Sequence, residues 1–129
     1  MAFPANLHYT RTHEWLQIDG EIATVGITEH AVELLGDLVF LDLPEVETQL
    51  SREDRVAEIE STKAVEDIYC PLSGKVVEVN DGIADNLENL KDSPYEQGWI
   101  IKLQITNPDE IKELLDSAGY KEHVESEDH

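Results

Sequence analysis

Short blocks of apolar residues, some of them alternating with polar residues, recur along most of the chain. Five blocks have the length and composition of β-strands: Ala23 to Ile27, Asp37 to Leu43, Val56 to Glu60, Lys75 to Asn80 and Trp99 to Ile105. Turn signals that contain glycine or proline lie between them. The pattern predicts a mainly β protein, folded as a sandwich or a flattened barrel.

A weak internal repeat divides these strands into two halves. Gly36 to Val39 and Gly74 to Val77 each open a strand after a turn, and each is followed roughly twenty residues later by another strand. We therefore expect two similar β halves related by a pseudo-two-fold axis. The segment Ser61 to Ser73 joins them.

Helices are predicted to be few and short. Thr28 can cap a helix of one or two turns that stops at Gly36. A second, C-terminal helix is predicted from Asn107 as N-cap, with Glu110 completing a capping box and Gly119 ending the helix.

The last residues, 121–129, are nearly all polar and are predicted to be a frayed, solvated tail on a single domain whose core spans about residues 7–120. His123 and His129 in this tail are residue types that bind metals. No cysteine or histidine spacing typical of a metal site accompanies them, so no metal site is predicted.

The charge balance excludes two classes of partner. The 129 residues include 9 basic and 29 acidic ones, which gives a formal net charge of −20. Nucleic acids and anionic membranes are polyanions and would repel such a surface. A partner protein with a basic face is favoured instead.

The single cysteine, Cys70, cannot form an internal disulfide and is expected to be a small buried hydrophobe. Residues 1–6 lack the pattern of a leader, and no stretch approaches the ~20 apolar residues of a membrane span. The sequence predicts a cytoplasmic protein, or a mitochondrial matrix protein if it is a processed eukaryotic form.

No catalytic motif is present. The sequence contains no nucleophile elbow, dinucleotide fingerprint or phosphate loop, so no catalytic residues are predicted. The aromatic residues Trp15, Phe40, Tyr95 and Trp99 are expected to pack in the core or at its rim rather than against a cofactor.

A hairpin is predicted where the two halves meet. Between Glu60 and Ile68, apolar residues flank a short polar centre, as in two antiparallel strands joined by a tight turn. Lys63 lies near the tip of this turn and is expected to project into water. An exposed lysine in a turn is ordinary, so these residues alone do not assign it a role.

Residues typical of one protein family occur, in the order that the family has them, across roughly residues 7–120. The matching residues are Tyr9-Thr10, His13-Glu14-Trp15, Ala23 to Thr28, Ala31, Leu35-Gly36-Asp37, Val39-Phe40, Leu43-Pro44, Glu60-Ser61, Lys63-Ala64, Pro71, Ser73-Gly74, Val77 to Asn80, Ser93-Pro94-Tyr95, Gly98-Trp99 and Ile101-Lys102. In them the chain resembles the H proteins of the glycine cleavage system, the lipoyl-carrying members of the biotinyl/lipoyl domain group. Biotinyl domains usually have methionines beside the modified lysine, whereas this chain has Thr62 and Ala64.

The resemblance implies a hammerhead-type lipoyl domain with lipoic acid joined to Lys63 as an amide, which changes the formal charge from −20 to −21. Glu60, Ser61 and Ala64 would form the hairpin recognised during attachment. The protein would then be a carrier and not an enzyme, because the chemistry belongs to the cofactor.

The resemblance also implies the partners. The carrier would take methylamine from glycine decarboxylase to a tetrahydrofolate-dependent aminomethyltransferase, and dihydrolipoyl dehydrogenase would reoxidise the arm. A lipoate-attaching enzyme would modify the protein beforehand. A carrier that enters several active sites is most useful as a monomer, so we expect one.

Three residues are expected to shield the cargo from water. Thr12, Glu14 and Asp67 would line a cleft that holds the cationic methylamine through charge-assisted hydrogen bonds. The alternative is that Glu14 and Asp67 are simply two of the 29 acidic side chains on the surface.

The turn from Ser51 to Arg55 departs from the resemblance, because it lacks the glycine that the family commonly has there. A positive φ in this turn is expected to be avoided or adopted by Asp54.

Two other functions remain open at this point. One is a lipoate carrier of another pathway, such as sulfur oxidation. The other is an unmodified acidic β-domain adaptor that binds basic partners.

Overall fold

The computed structural model describes residues 3–127. The strands are β1 (His8–Tyr9), β2 (Glu14–Asp19), β3 (Ile22–Ile27), β4 (Leu38–Asp42), β5 (Gln49–Leu50), β6 (Arg55–Ser61), β7 (Val65–Tyr69), β8 (Gly74–Val79) and β9 (Ile101–Ile105). The α-helices are α1 (Glu29–Leu35), α2 (Glu88–Asp92) and α3 (Ser117–Glu127), and short 3₁₀ helices span Asp81–Asp85 and Pro108–Glu113.

The strands form two antiparallel sheets. The larger has the order β1-β2-β3-β9-β8-β5 and the smaller the order β4-β6-β7. Apolar side chains of both sheets meet in one core, with Val25, Val76 and Leu103 from the larger sheet and Leu41 and Ile59 from the smaller. The prediction of a mainly β sandwich is confirmed, and the described strands do not close into a barrel.

The internal repeat is visible in the pairing of the strands. In each half the first strand pairs with the second, as β4 with β6 and β8 with β9. Both pairs contain a one-residue bulge, at Val39 in β4 and at Val77 in β8. Each valine is the fourth residue of its repeat unit, Gly36 to Val39 or Gly74 to Val77. The bulge therefore occurs at the same position in both halves.

Strands were predicted where apolar residues cluster or alternate with polar ones. Strands without such a pattern were missed. The five predicted blocks correspond to β3, β4, β6, β8 and β9, but β1, β2 and β5 were missed. β1 and β5 have only two residues each. β2 begins with three consecutive buried residues, Glu14, Trp15 and Leu16, so it shows no alternation.

The first helix forms as predicted. The Thr28 hydroxyl accepts a hydrogen bond from the amide of Ala31 at 3.2 Å and so caps α1. Gly36 ends the helix with φ 82°, a conformation that favours glycine.

A C-terminal helix is present as predicted, but its predicted bounds, Asn107 to Gly119, are wrong. A 3₁₀ helix spans Pro108–Glu113, and the α-helix begins only at Ser117. The side chain of Asn107 makes no cap hydrogen bond, and the Glu110 carboxylate instead accepts hydrogen bonds from the amide and hydroxyl of Ser73. Leu115 then pairs with Tyr9 through two backbone hydrogen bonds of 2.8 Å, which requires extended backbone.

The C-terminal helix begins after this pairing. The Asp116 carboxylate accepts a hydrogen bond from the amide of Gly119 at 2.7 Å, so Gly119 lies in the first turn of α3 rather than at the end of a helix. The prediction of a frayed tail is also wrong for residues 121–127, because they are helical and Val124 is buried in an apolar cluster that includes Trp15 and Tyr120. His129 lies outside the described residues.

The turn between Ser51 and Arg55 contains a positive φ, but not at the expected residue. Glu53 has φ 77°. Asp54 instead uses its carboxylate to accept a hydrogen bond from the amide of Ser51 at 2.8 Å. The expectation for Asp54 is wrong, because its side chain closes the turn.

Candidate functional site

The predicted hairpin consists of β6, β7 and a tight turn that Ser61 organises. The Ser61 amide donates to the carbonyl of Ala64 at 2.8 Å, and its hydroxyl oxygen lies 3.3 Å from the amide of Lys63 and 3.1 Å from that of Ala64. The amide of Thr62 donates to the carbonyl of Asp37 at 2.9 Å. These bonds fix the turn against the segment that follows α1.

Lys63 is exposed at the tip of the turn. Among the described residues it makes no ion pair. Its side chain passes over Gly36, where an added Cβ would lie 3.4 Å from Cε of Lys63. The amine is therefore accessible to a modifying enzyme, and Gly36 leaves room for its stem.

Glu60 lies on β6 between two exposed apolar residues. It is paired with Phe40 on β4 and with Val65 on β7, and these are 49% and 58% exposed. The expectation that Phe40 packs in the core or at its rim is wrong, because Phe40 faces away from the buried Leu41 that follows it and its side chain remains on the surface. The other three aromatic residues pack in or against a core cluster as predicted.

A cleft of about 230 Å³ opens beside the hairpin, between α1, the turn and the residues before β2. The three residues predicted to form a cargo cleft line it together, and so does Ala64. Its apolar lining, which no sequence motif indicates, is Ile27, Ala31, Leu34, Leu35, Ile59 and Ile68.

Glu14 is the buried acid of this cleft. It is 1% exposed, and its Oε1 accepts hydrogen bonds from the hydroxyls of Thr10 at 2.6 Å and Thr12 at 2.5 Å. The amide of Tyr69 lies 3.4 Å from Oε2. Burial raises the pKa of Glu14 to about 7, although these hydrogen bonds oppose the shift. Glu14 is thus not one of the exposed acids.

Asp67 lies at the rim of the same cleft. Its carboxylate is 40% exposed and lies 3.7 Å from the guanidinium of Arg55. Thr12 is also exposed, and its hydroxyl is bonded to Glu14. The cleft therefore has one buried acid, two exposed acids, Glu66 and Asp67, and a hydroxyl that orients the buried acid.

A larger cleft of about 620 Å³ shares Thr12 and Glu14 with the first. Arg11 and Arg52 line it beside the acids Glu14, Glu53 and Glu113, so its lining carries charges of both signs. It does not include the turn residues. The smaller cleft, which touches Ala64 and is lined by no arginine or lysine, is the better site for a cation near Lys63.

Cys70 is buried, as predicted, and its thiol donates to the carbonyl of Leu72 at 2.9 Å. Burial raises the pKa of Cys70 to about 12, so the reactive thiolate is scarce at neutral pH.

Comparison with known proteins identifies the family. The model of the glycine cleavage H-protein family matches residues 7–127. The chain belongs to this family. Glycine cleavage system H proteins from Staphylococcus epidermidis and Symbiobacterium thermophilum are 43% and 48% identical to it, covering 96% and 91% of this chain and 98% and 91% of their own lengths.

A solved structure supports the same assignment. The crystal structure of a glycine cleavage system H protein from Mycobacterium marinum superposes with a TM-score of 0.87 at 40% identity, covering 95% of this chain and 98% of that one. The predicted family and the carrier role in glycine cleavage are confirmed, and a carrier of another pathway is not favoured. Among residues 3–127, no helix has the length and apolar character needed to cross a membrane.

Proposed function

We propose that this chain carries a lipoyl group in amide linkage on Nζ of Lys63, and that the cleft beside the hairpin holds the methylamine cargo. The cleft carries the argument, because it lies beside the hairpin that bears the accessible Lys63 and combines an apolar lining with acidic side chains. When bound, a lipoyl group supplies a dithiolane that accepts the one-carbon amine on sulfur.

The hairpin residues fit attachment of such a group. The hydrogen bonds of Ser61 hold the backbone of Lys63 and Ala64 in one conformation, so an attaching enzyme meets a preformed turn. Glu60 supplies a carboxylate, and Phe40 and Val65 supply apolar area on either side of it. These residues together are the proposed recognition surface.

The cleft residues fit both parts of a loaded arm. Apolar side chains such as Leu34, Ile59 and Ile68 suit a hydrocarbon chain and exclude water from it. The Glu14 carboxylate, oriented by Thr12, accepts a hydrogen bond from the cationic amine, and Asp67 adds negative charge at the rim. Together they would slow hydrolysis of the cargo.

The proposed partners are glycine decarboxylase, aminomethyltransferase, dihydrolipoyl dehydrogenase and a lipoate-attaching enzyme. Family membership supports interaction with components of glycine cleavage in general. The bacterial sources of the relatives favour the cytoplasm as the location.

We expect glycine decarboxylase to load the lipoylated chain when glycine is present, and aminomethyltransferase with tetrahydrofolate to unload it. Intact-mass spectrometry measures both steps, with the unlipoylated chain as the control. A lipoylated chain that stays unloaded would contradict the proposal and would point to a carrier of another pathway.

Association with the partner enzymes should depend strongly on salt. The net charge of −20 favours steering toward basic rims, and the Debye length shrinks from about 30 Å at 0.01 M to about 8 Å at 0.15 M ionic strength. We expect the association rate, measured by stopped flow, to fall by about tenfold over this range. A rate that does not change with salt would exclude electrostatic steering.

A further inference from the structure

Three histidines and a glutamate from distant parts of the chain meet on the side of α3 that faces α1. His13 precedes β2, His30 lies in α1, and His123 and Glu127 lie in α3. His13 also lines the cargo cleft, but the role proposed above for that cleft is assigned to Thr12, Glu14 and Asp67. Its members are too far apart in the sequence for ligand spacing to reveal them.

The ligand atoms of three of these residues are close enough to share one ion. Nε2 of His13 lies 3.0 Å from Oε2 of Glu127, and Nε2 of His30 lies 3.6 Å from the same oxygen. One ligand atom from each of the three residues lies within 4.8 Å of the others. Tetrahedral bonds of about 2.0–2.1 Å place ligand atoms about 3.3 Å apart, so side-chain movements would have to shorten the widest separation by about 1.5 Å.

His30 provides an independent reason to expect a ligand here. Its side chain is 8% exposed, and Nε2 has no hydrogen-bond partner among the described residues. A buried polar nitrogen without a partner is rare in folded proteins and calls for an explanation. A metal ion at this point would give the nitrogen the partner that it lacks.

We propose that His13, His30 and Glu127 bind a divalent transition-metal ion of the Zn²⁺ type. Two imidazole nitrogens and one carboxylate are a usual ligand set for zinc, with a water molecule completing the tetrahedron. Imidazole ligands favour such ions over Mg²⁺ and Ca²⁺, which prefer oxygen.

The surrounding side chains fit this role. Nδ1 of His13 lies 2.8 Å from the hydroxyl of Tyr120, which lies 2.7 Å from the hydroxyl of Thr28. With Nδ1–H donating to Tyr120, the lone pair of Nε2 is directed at the proposed ion, as is usual for metal-bound histidine. Nε2 of His123 lies 3.2 Å from the other carboxylate oxygen of Glu127 and 3.0 Å from the carbonyl oxygen of Arg11.

A bound ion would tie three elements together. It would link Glu127, at the C-terminal end of α3, to His30 in α1 and to His13, which precedes β2. The expected consequences are tighter packing of α3 and a more stable folded chain in the presence of metal.

Calorimetric titration of the unlipoylated, untagged full chain with ZnCl₂ tests the proposal without reference to carrier activity. Excess Mg²⁺ in the buffer occupies the weak sites that the 29 acidic residues provide. We expect one Zn²⁺ per chain, with affinity at least tenfold lower in His30→Gln and in Glu127→Gln. The matched control, His8→Gln, changes a histidine of β1 outside the cluster and should bind like the wild type.

Cobalt substitution gives a second readout. Co²⁺ at the proposed site should show intense visible absorption typical of four-coordinate geometry, which the Glu127→Gln variant should lose or shift. Because Glu127 is partly exposed, this variant should keep its fold, as circular dichroism will verify. Stoichiometric Zn²⁺ binding that survives both variants, or Zn²⁺ binding only at millimolar concentration, would overturn the proposal.

Discussion

Replacing Lys63 with arginine will abolish lipoylation and, with it, all loading by glycine decarboxylase. The guanidinium retains the positive charge but does not form the amide to lipoic acid. Lys63 is exposed and makes no ion pair among the described residues, so the fold should not change. Intact-mass spectrometry of protein from lipoate-supplied cells measures the modification directly.

The matched control for this experiment is Lys121→Arg, an exposed lysine in α3. It should be lipoylated as fully as the wild type. If Lys63→Arg still gains the lipoyl mass, the attachment site lies elsewhere. If the wild type gains none, the chain is not a lipoyl carrier and an unmodified acidic adaptor becomes the better explanation.

Replacing Glu14 with glutamine will speed the loss of methylamine from the loaded protein. Glu14 is the buried acid of the cleft, and a hydrogen bond to a charged group contributes about 1.5–3 kcal/mol. Removing its charge while keeping its shape should therefore accelerate decay by about tenfold or more. The decay is followed by intact-mass spectrometry after glycine decarboxylase has been removed.

Glu66→Gln is the matched control for the cargo experiment, because Glu66 lines the same cleft but is exposed to solvent. It should change the decay rate little. An unchanged decay rate in Glu14→Gln would show that Glu14 does not shield the cargo.

Glu14→Gln should also make the unloaded protein more stable than the wild type at alkaline pH. Burial raises the pKa of Glu14 from 4.5 to about 7, so between these values the folded state binds more protons than the unfolded state. This group's contribution to the free energy of unfolding therefore falls as pH rises through that window, by up to about 3 kcal/mol.

Urea denaturation from pH 4.5 to pH 8 measures this effect as the difference between wild type and Glu14→Gln. A chelator in the buffer keeps metal binding at the neighbouring His13 out of the comparison. The variant should gain stability relative to the wild type as pH rises. A constant difference across the range would contradict the proposed cost of burying Glu14.

The sequence predicted the parts of the fold that depend on neighbouring residues. The cap by Thr28, the stop at Gly36 and the hairpin around Lys63 each rest on interactions within a few residues. The position of the C-terminal helix was predicted wrongly, because contacts between residues that are distant in the sequence determine where it begins. Leu115 pairs with Tyr9, and Glu110 binds Ser73, so neither residue was available to the predicted helix.

For the site, the structure brings Thr12, Glu14 and Asp67, which the resemblance grouped, to one cleft, and their role toward the cargo stays a prediction. The deep burial of Glu14 was not predictable, because it depends on the packing of the cleft walls around β2. The cluster of His13, His30 and Glu127 has no local signal at all, since it forms only when α3 packs against α1.

The hairpin strand β7 lies at the edge of the smaller sheet, and the outermost residues of this edge include Glu66 and Asp67. An open edge can pair with the edge of another molecule and start aggregation, and adjacent like charges oppose such pairing. The two acids therefore keep copies of the carrier from adding to one another strand by strand. Because the hairpin proposed to bear the lipoyl group is also the exposed edge, the acids that line its cleft would protect the solubility of the chain as well.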